Sequence, residues 1–204
     1  MTHVIHGGSA TADDGLLAQM YQDRKRVFID LLHWDLPVRD GLYEIDQFDT
    51  SSTIYLIIAG PDGKHLGSMR LLPTTQPHVL GTIFPVLCED SPPEAPDVWE
   101  ISRLCLSRSI RAAERLQVRN RLATVATLFA LNNGISAYCC VADMPWHQQI
   151  LSFGWRCLPL GLPQHLPSGI LAALSIEIDE DTPELLHDAG IWLHTNSPLI
   201  PASK

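Results

Sequence analysis

The chain has 204 residues, of which 46% are hydrophobic and 18% are charged, and its net charge is −9. This length allows one domain with a sizeable core, and the hydrophobic content argues against disorder. The first ten residues lack the basic and apolar features of a signal peptide, and the most apolar run, at 122–131, is too short to span a bilayer, so a soluble, cytoplasmic protein is predicted.

Apolar periodicity predicts helices and strands that alternate along the chain. The predicted elements are, in order, a helix at 14–33, strands at 53–59 and 65–72 joined by a turn, a proline-rich irregular segment at 73–97, a strand at 99–106, a helix at about 110–133, a strand at 135–142, a short helix at 145–153, a strand at 169–178 and a helix at 182–194. Thr182 and Pro183 have the residue types of a helix cap and first position. No repeat or linker is visible. The pattern predicts a single α/β domain over 1–204, with a mixed twisted sheet flanked by helices.

Cysteines and histidines show no metal-binding pattern. The five cysteines contain no Cys-x-x-Cys, and the nine histidines contain no His-x-x-x-His. Small buried thiols are the favoured interpretation, and no metal site is predicted.

Positive charge is concentrated in one segment. Residues 103–121 carry six arginines and one glutamate, a net charge of +5, whereas the rest of the chain carries −14. On a helix, four of these arginines would fall within one narrow arc: Arg108, Arg111, Arg115 and Arg119. They are either a solvated helix face or a docking patch for an acidic partner or a phosphate. An acidic protein with one such patch is a poor candidate for binding nucleic acid.

The strand "WEISRLCL" at 99–106 carries charges next to apolar residues. Alternation places Glu100 and Ser102 on one face and Arg103 on the other. Charges beside a core require ionic partners. The chain offers these in three other segments, which predicts a cluster of three carboxylates and three guanidiniums: Arg24, Asp46, Asp49, Arg70, Glu100 and Arg103. Taken alone, the cluster is better interpreted as a structural ion network that holds the N-terminal part on the sheet.

The same residues carry a resemblance to a known family. The segments "RKRVFIDLLHW", "EIDQFD", "GSMRLLP", "IFP" and "EISRL" occur in the order found in the acyl-homoserine lactone synthases, the LuxI-type autoinducer synthases. Nine positions match: Arg24, Phe28, Trp34, Asp46, Asp49, Arg70, Phe84, Glu100 and Arg103. The resemblance is good over about residues 20–110 and looser beyond.

The resemblance implies a fold similar to the GNAT acyltransferases, with an acyl-pantetheine chain between splayed central strands. It implies that S-adenosylmethionine and an acyl thioester are the substrates, with no further cofactor, and that an N-acyl-L-homoserine lactone and 5′-methylthioadenosine are the products. The N-terminal part, about residues 1–50, would cover the substrate. The acyl donor would be an acidic acyl-carrier protein or a coenzyme A thioester.

The implied chemistry gives the matching residues roles. Glu100 is the candidate acceptor for the proton of the substrate amine, and Ser102 and Arg103 complete the candidate catalytic set. Backbone N–H groups at a strand bulge would stabilise the oxyanion. The S-adenosylmethionine site would comprise Arg24, Phe28, Trp34, Asp46, Asp49 and Arg103. Within this site, Arg103 would hold the carboxylate of S-adenosylmethionine, and either Asp46 or Asp49 would hold its ammonium. Phe28 and Trp34 would contact the adenine or the sulfonium, and Trp34 would act as a mobile lid.

The acyl pocket is predicted around the strand that follows the long helix. Its candidate residues are Met69, Phe84, Cys139, Val141, Met144 and Trp146. In the family, a threonine on this strand accompanies a preference for 3-oxo chains, and the aligned residue here is Cys139, with Cys140 as the alternative register. A thiol is a weak donor. The sequence therefore predicts an unsubstituted, branched or aromatic acyl group over a 3-oxo one.

Two other functions remain open on sequence grounds. One is a GNAT-like N-acetyltransferase that uses acetyl-CoA, although the sequence contains no Gly-x-Gly, the glycine spacing of the pyrophosphate-binding turn in such enzymes. The other is a non-catalytic module that binds an acyl ligand or a partner through the arginine face. A Gly-x-Ser-x-Gly hydrolase motif does not occur.

Overall fold

Five α-helices are seen in the computed structural model, which describes residues 1–8, 14–193 and 200–201. The helices are α1 (Asp14–Arg24), α2 (Val79–Ile83), α3 (Ala112–Asn133), α4 (Met144–Leu151) and α5 (Thr182–Asp188). A π-helical turn, Lys25–Ile29, continues α1, and a 3₁₀ turn, Pro85–Leu87, follows α2. No helix in the described part is long and apolar enough to cross a membrane.

Eleven strands are found among the described residues. They are β1 (Thr2–His6), β2 (Val38–Arg39), β3 (Tyr43–Glu44), β4 (Ile54–Ala59), β5 (His65–Pro73), β6 (Val98–Leu106), β7 (Ala137–Asp143), β8 (Arg156–Pro159), β9 (Gln164–Leu166), β10 (Gly169–Glu177) and β11 (Ile200–Pro201). Both parallel and antiparallel pairs occur, so the fold is mixed α/β, as the sequence predicts.

The chain forms two compact units. Unit 1 comprises Met1–Arg70 and Arg103–Leu122 together with the C-terminal strand, and unit 2 comprises Leu71–Ser102 and Ala123–Leu193. In unit 1 the strand order is β11-β1-β4-β5, with the end of β6 beyond β5, and β2 and β3 form a separate hairpin. In unit 2 the order is β6-β7-β10-β8, and β9 also pairs with β10.

Apolar burial explains the arrangement of unit 1. Strand β4 reads "IYLIIA" and is buried along its whole length, which is typical of a strand covered on both faces. Leu16 and Met20 of α1 pack with Ile5, Tyr55 and Ile57 in one core cluster. Helix α1 therefore lies against β1 and β4, which fixes the position of Arg24 at its end.

Strands β6 and β7 of unit 2 are parallel, and α3 makes the crossover that a parallel pair requires. Their register pairs Val98 with Ala137 and ends at Glu100 and Cys139, although both strands continue.

Several sequence predictions need correction. The helix predicted over 14–33 is α-helical only to Arg24, because the N–H groups of Asp30 and Leu32 bond five residues back and widen the next turn into a π-helix. The segment at 73–97 contains α2 and a 3₁₀ turn. Helix α5 ends at Asp188, before Gly190 at φ +69°, and the predicted helix end at His194 lies outside the described residues.

The cap of α5 also differs from the prediction. Thr182 is the first helical residue and Asp181 precedes it, while the Thr182 hydroxyl donates to Asp179. The sequence does not predict β1, the hairpin of β2 and β3, or the strands β8, β9 and β11, because their runs are too short to show a period.

Candidate active site

Arg24 is the centre of a buried ion cluster in unit 1. Its Nε donates to Glu44 Oε2, and its two terminal nitrogens donate to the two oxygens of Asp49, each at 2.9 Å. This bidentate geometry uses the planar guanidinium fully. The Tyr55 hydroxyl also donates to Asp49 at 2.8 Å, so the aspartate has several donors.

Arg70 and Arg103 close the cluster. Arg70 donates to both oxygens of Asp46 at 2.6 and 3.1 Å and lies 3.1 Å from Asp49. Arg103 donates to Glu44 at 3.1 Å and to Asp46 at 2.8 Å. The name "ion cluster" is used below for these six residues: Arg24, Glu44, Asp46, Asp49, Arg70 and Arg103.

Arg103 has the most exposed side chain of the three arginines in the ion cluster. Its side chain is 10% exposed, whereas those of Arg24 and Arg70 are 1% exposed. Burial and the neighbouring arginines lower the pKa of Arg103 and outweigh its carboxylate partners, although an arginine stays protonated near neutral pH. By contrast, burial lowers the pKa of Arg24, but Asp49 and Glu44 more than reverse this and raise it. The positive charge of Arg103 is therefore the least compensated in the cluster.

Local backbone structure sets the carboxylates in place. The Asp46 carboxylate accepts the N–H of Phe48 at 2.9 Å, and the Asp46 N–H donates to Asp49 at 2.9 Å, so the two aspartates fold their own turn. Glu44 follows a tight hairpin turn in which Asp40 and Gly41 both have positive φ, as a type I′ turn requires.

Two aromatic rings lie beside Arg103. Phe28 and Trp34 stack with their ring centroids 5.0 Å apart and their planes 12° from parallel, and Arg103 Cζ lies 5.7 Å from the Phe28 centroid. Phe28 lies in the π-helical turn, and the helix end at His33, with φ +57°, brings Trp34 back over it through a bond from Trp34 N–H to Phe28 C=O. Phe28 is buried, and Trp34 is 38% exposed.

Glu100 has a different environment, in unit 2. Its buried carboxylate accepts the N–H groups of Val79 and Leu80, the first two residues of α2, at 2.7 and 2.9 Å.

The ion cluster has Glu44 as its third carboxylate, a residue that the sequence analysis missed. Glu44 ends the two-residue strand β3 and Asp46 lies beyond it, so alternation along a strand gave no signal for Glu44.

The predicted acyl-pocket residues fall into three places. Cys139 is fully buried in an apolar cluster of unit 2 with Leu80, Leu87, Leu171 and Ala173, and Phe84 and Val141 pack against it. Met144 and Trp146 lie on α4, where Trp146 packs edge-on against Phe153 at 6.3 Å. Met69 is buried on β5 in unit 1. Cys140 is absent from that apolar cluster and pairs in register with Leu174. Ser102 is half-buried on β6.

The arginine face is less regular than predicted. Helix α3 begins at Ala112, so Arg108 lies in the preceding turn, while Arg111 precedes the helix and accepts the N–H of Arg115. Of the four arginines predicted to form this face, only Arg115 and Arg119 lie on the helix. Arg115 donates to the Ser107 carbonyl at 2.9 Å, and Arg119 donates to Asn120. Arg108 and Arg111 are exposed.

All five cysteines are free thiols. Within residues 1–8, 14–193 and 200–201, no group of three or more His, Cys, Asp or Glu side chains is placed to hold a metal ion.

The fold belongs to the α/β class that includes N-acetyltransferases. A protein described as an N-acetyltransferase from Lactobacillus plantarum superposes with a TM-score of 0.57 at 15% identity, over 87% of this chain and 99% of that one. At this identity, the likeness concerns the fold alone.

Comparison of sequences assigns the chain to a family within this fold class. A profile of the autoinducer synthases matches residues 10–186, and the chain belongs to this family, as the sequence resemblance predicted. An acyl-homoserine-lactone synthase of Ralstonia nicotianae is 40% identical over 133 residues, which span 61% of this chain and 64% of that protein. An isovaleryl-homoserine lactone synthase of Bradyrhizobium diazoefficiens is 29% identical over 92% of this chain and 84% of that protein.

Solved structures of acyl-homoserine lactone synthases resemble this chain in fold. A CoA-dependent acyl-homoserine lactone synthase with SAM and isopentyl-CoA superposes with a TM-score of 0.85 at 27% identity, over 100% of this chain and 94% of that one. The matched segment spans less than two thirds of the Ralstonia protein.

Proposed function

We propose that this protein is an acyl-homoserine lactone synthase that uses S-adenosylmethionine and an acyl thioester. The observation that carries the proposal is the ion cluster with its incompletely compensated Arg103 beside a stacked aromatic pair. Such a site offers a cation for a substrate carboxylate and a ring face for an adenine or a sulfonium. The two proposed substrates are products of intracellular metabolism, so the proposal places the reaction in the cytoplasm.

The first proposed step is acyl transfer. Glu100 takes a proton from the α-ammonium of S-adenosylmethionine, and the freed amine lone pair attacks the thioester carbonyl carbon. The tetrahedral intermediate then expels the thiolate, and the second proton that the attacking nitrogen loses passes to the thiolate. A free α-amine has a pKa of about 7.7–8.0, so much of it is protonated at neutral pH and needs a base.

The second proposed step is lactone closure. The substrate carboxylate attacks its own Cγ, the bond from Cγ to the sulfonium breaks, and neutral 5′-methylthioadenosine leaves. This step moves no proton, so it depends on the folded conformation of the substrate. Arg103 is proposed to hold the carboxylate for this purpose.

The ion cluster suggests a supporting role for its aspartates. Asp46 and Asp49 are buried and paired with guanidiniums. Contact with the substrate ammonium would break these pairs at considerable cost. Arg24, Asp46, Asp49 and Arg70 are therefore proposed to hold Arg103, while Phe28 and Trp34 contact the substrate.

Incubation of the purified protein with S-adenosylmethionine and a panel of acyl thioesters tests the proposal, with mass spectrometry of the products. An N-acyl-homoserine lactone is expected. Acylation of other amines without lactone formation would indicate an N-acetyltransferase, and binding without turnover would indicate a non-catalytic module. Either result would contradict the proposal.

The acyl group is proposed to lack a 3-oxo substituent. Phe84, Cys139 and Val141 belong to one apolar cluster, where a ketone would lose water without gaining a good donor. In competition between matched thioesters, the unsubstituted donor is expected to be preferred by roughly threefold to tenfold, the equivalent of about one hydrogen bond.

Cys139→Thr should shift this ratio toward the 3-oxo donor. Cys139→Val is the matched control, since valine has the shape of threonine without its hydroxyl. A preference of the unaltered protein for the 3-oxo donor would refute the idea.

An acyl-carrier protein is the proposed donor, because an acidic carrier suits the +5 segment. Arg108→Glu with Arg111→Glu should raise KM for an acyl-carrier substrate by about tenfold and flatten its salt dependence. Arg115 is left unchanged because it bonds Ser107.

Arg39→Glu, on the exposed strand β2 outside the +5 segment, is the control for charge reversal. Equal efficiency with coenzyme A thioesters, together with no effect of the double reversal, would exclude carrier docking at this segment.

A further inference from the structure

The carboxylate of Glu100 is held by a short helix. Val79 and Leu80 donate their N–H groups to its two oxygens, and residue 78, which precedes α2, makes no capping bond with its side chain. The glutamate thus takes the place of a cap for α2. The ionisation of Glu100 depends on these two donors, since hydrogen bonds to a carboxylate favour its charged form.

His78 fixes the start of this helix. The residue is 5% exposed, and its Nδ1 lies 2.9 Å from the carbonyl oxygen of Gln76. A carbonyl only accepts, so Nδ1 carries the proton. The ring also lies over Gly81, where an added Cβ would be 2.6 Å from Cε1 and 2.8 Å from Nε2. The side chain therefore connects residue 76 with the helical turn at residue 81.

We infer that His78 is a positioning residue for Glu100: its ring holds the first turn of α2 so that the two N–H groups meet the carboxylate. The catalytic meaning of this inference rests on the proposed function. The positioning itself concerns the ionisation of one side chain and is measurable without turnover.

Only one of the two ring nitrogens of His78, Nδ1, has a hydrogen-bond partner in the described part of the chain. Nε2 is buried and has no hydrogen-bond partner in the described part of the chain. The contribution of His78 is therefore the Nδ1–H bond and the bulk of the ring. An asparagine retains such a donor, since its amide nitrogen occupies the position of Nδ1.

Strand β7 and helix α2 carry few groups that titrate in the same range as Glu100. Cys139 and Cys140 of β7 interact with it, and burial raises the pKa of both thiols, so they are neutral in the acid range. Asp143 of β7 is exposed and caps α4. Helix α2, "VLGTI", carries no charged side chain. In the acid range, neither the two thiols nor α2 therefore adds a titration to that of Glu100.

The test follows Glu100 by ¹³C NMR in protein with labelled glutamate carboxyls, the resonance being the one that Glu100→Gln removes. In His78→Ala the titration midpoint should rise by roughly one pH unit, because the N–H donors move away. His78→Asn should restore the midpoint to within a few tenths of a unit, while Thr82→Ala, exposed on the same helix, should leave it unchanged. Gly81→Ala, which displaces the ring, should act like His78→Ala.

Kinetics provide the second measurement. The acid limb of kcat at saturating substrates should move upward with the NMR midpoint in His78→Ala, with the plateau retained. A merely structural role would lower kcat by the same factor at every pH. An unshifted Glu100 midpoint in His78→Ala, or an Asn variant as strongly shifted as the Ala variant, would overturn the inference. An inactive wild-type protein would overturn the proposed function, while the NMR titration would still decide the inference.

Discussion

Replacement of Glu100 by glutamine is expected to lower kcat by about 10²–10⁴, the usual contribution of a general base. Glutamine keeps the shape but cannot take the amine proton. A rise in pH should partly restore the rate, because the substrate amine then loses its proton to water before it reacts. The rate should be followed from pH 6 to pH 10 at saturating substrates.

The hydrogen bonds of Glu100 require a stability control for this prediction. Both oxygens of Glu100 accept backbone N–H groups, and an amide NH₂ cannot replace one of them. Glu100→Gln should therefore also lose about 1–3 kcal/mol of stability, so melting and S-adenosylmethionine binding must be measured beside the rate. A folded Gln variant that binds its substrate and turns over at a near-normal rate at neutral pH would remove Glu100 from the chemistry.

Replacement of Arg24 by alanine should cost about 3–5 kcal/mol of unfolding free energy, because it leaves Glu44 and Asp49 buried without their main cation. Arg26→Ala is the matched control two residues away. Arg26 is 57% exposed and pairs with Asp23, so its loss should cost at most about 1 kcal/mol. Urea unfolding of the three proteins at pH 7 measures both values.

The same cluster predicts an acid dependence. Burial opposes the ionisation of Asp49, but Arg24 and Arg70 outweigh it and hold its pKa below the usual range. A depressed pKa in the folded state gives stability that is complete above the unfolded value of about 4 and is lost as pH falls below it. Arg24→Ala should flatten this loss. Unchanged melting with lost activity would instead assign Arg24 a purely catalytic role.

The sequence predicts that carboxylates and guanidiniums pair in a cluster, but it predicts only five of the six residues that form it. Arg24, Asp46, Asp49, Arg70 and Arg103 were grouped because charged residues beside apolar runs need partners, and the structure brings these five together. The sixth member could not be chosen by alternation. Which carboxylate reaches Arg103 depends on tertiary geometry that alternation along one strand does not contain.

Three backbone features limit the prediction further. Arg103 has φ +51° within β6, which breaks the strict alternation on which the assignment of faces to Glu100, Ser102 and Arg103 depended. Glu44 lies on a strand of only two residues behind a type I′ turn. The run "VLGTI" of α2, which holds Glu100, is one turn long and shows no helical period. Short elements stabilised by tertiary contacts leave little trace in a sequence.

One measurement tests the central claim most directly: the stoichiometry of both products from S-adenosylmethionine labelled with ¹³C in its methionine carboxyl. The proposed reaction should give one labelled N-acyl-homoserine lactone for each 5′-methylthioadenosine, and neither product without an acyl thioester. Release of 5′-methylthioadenosine without labelled lactone, or an acylated product that keeps its sulfonium, would contradict the account.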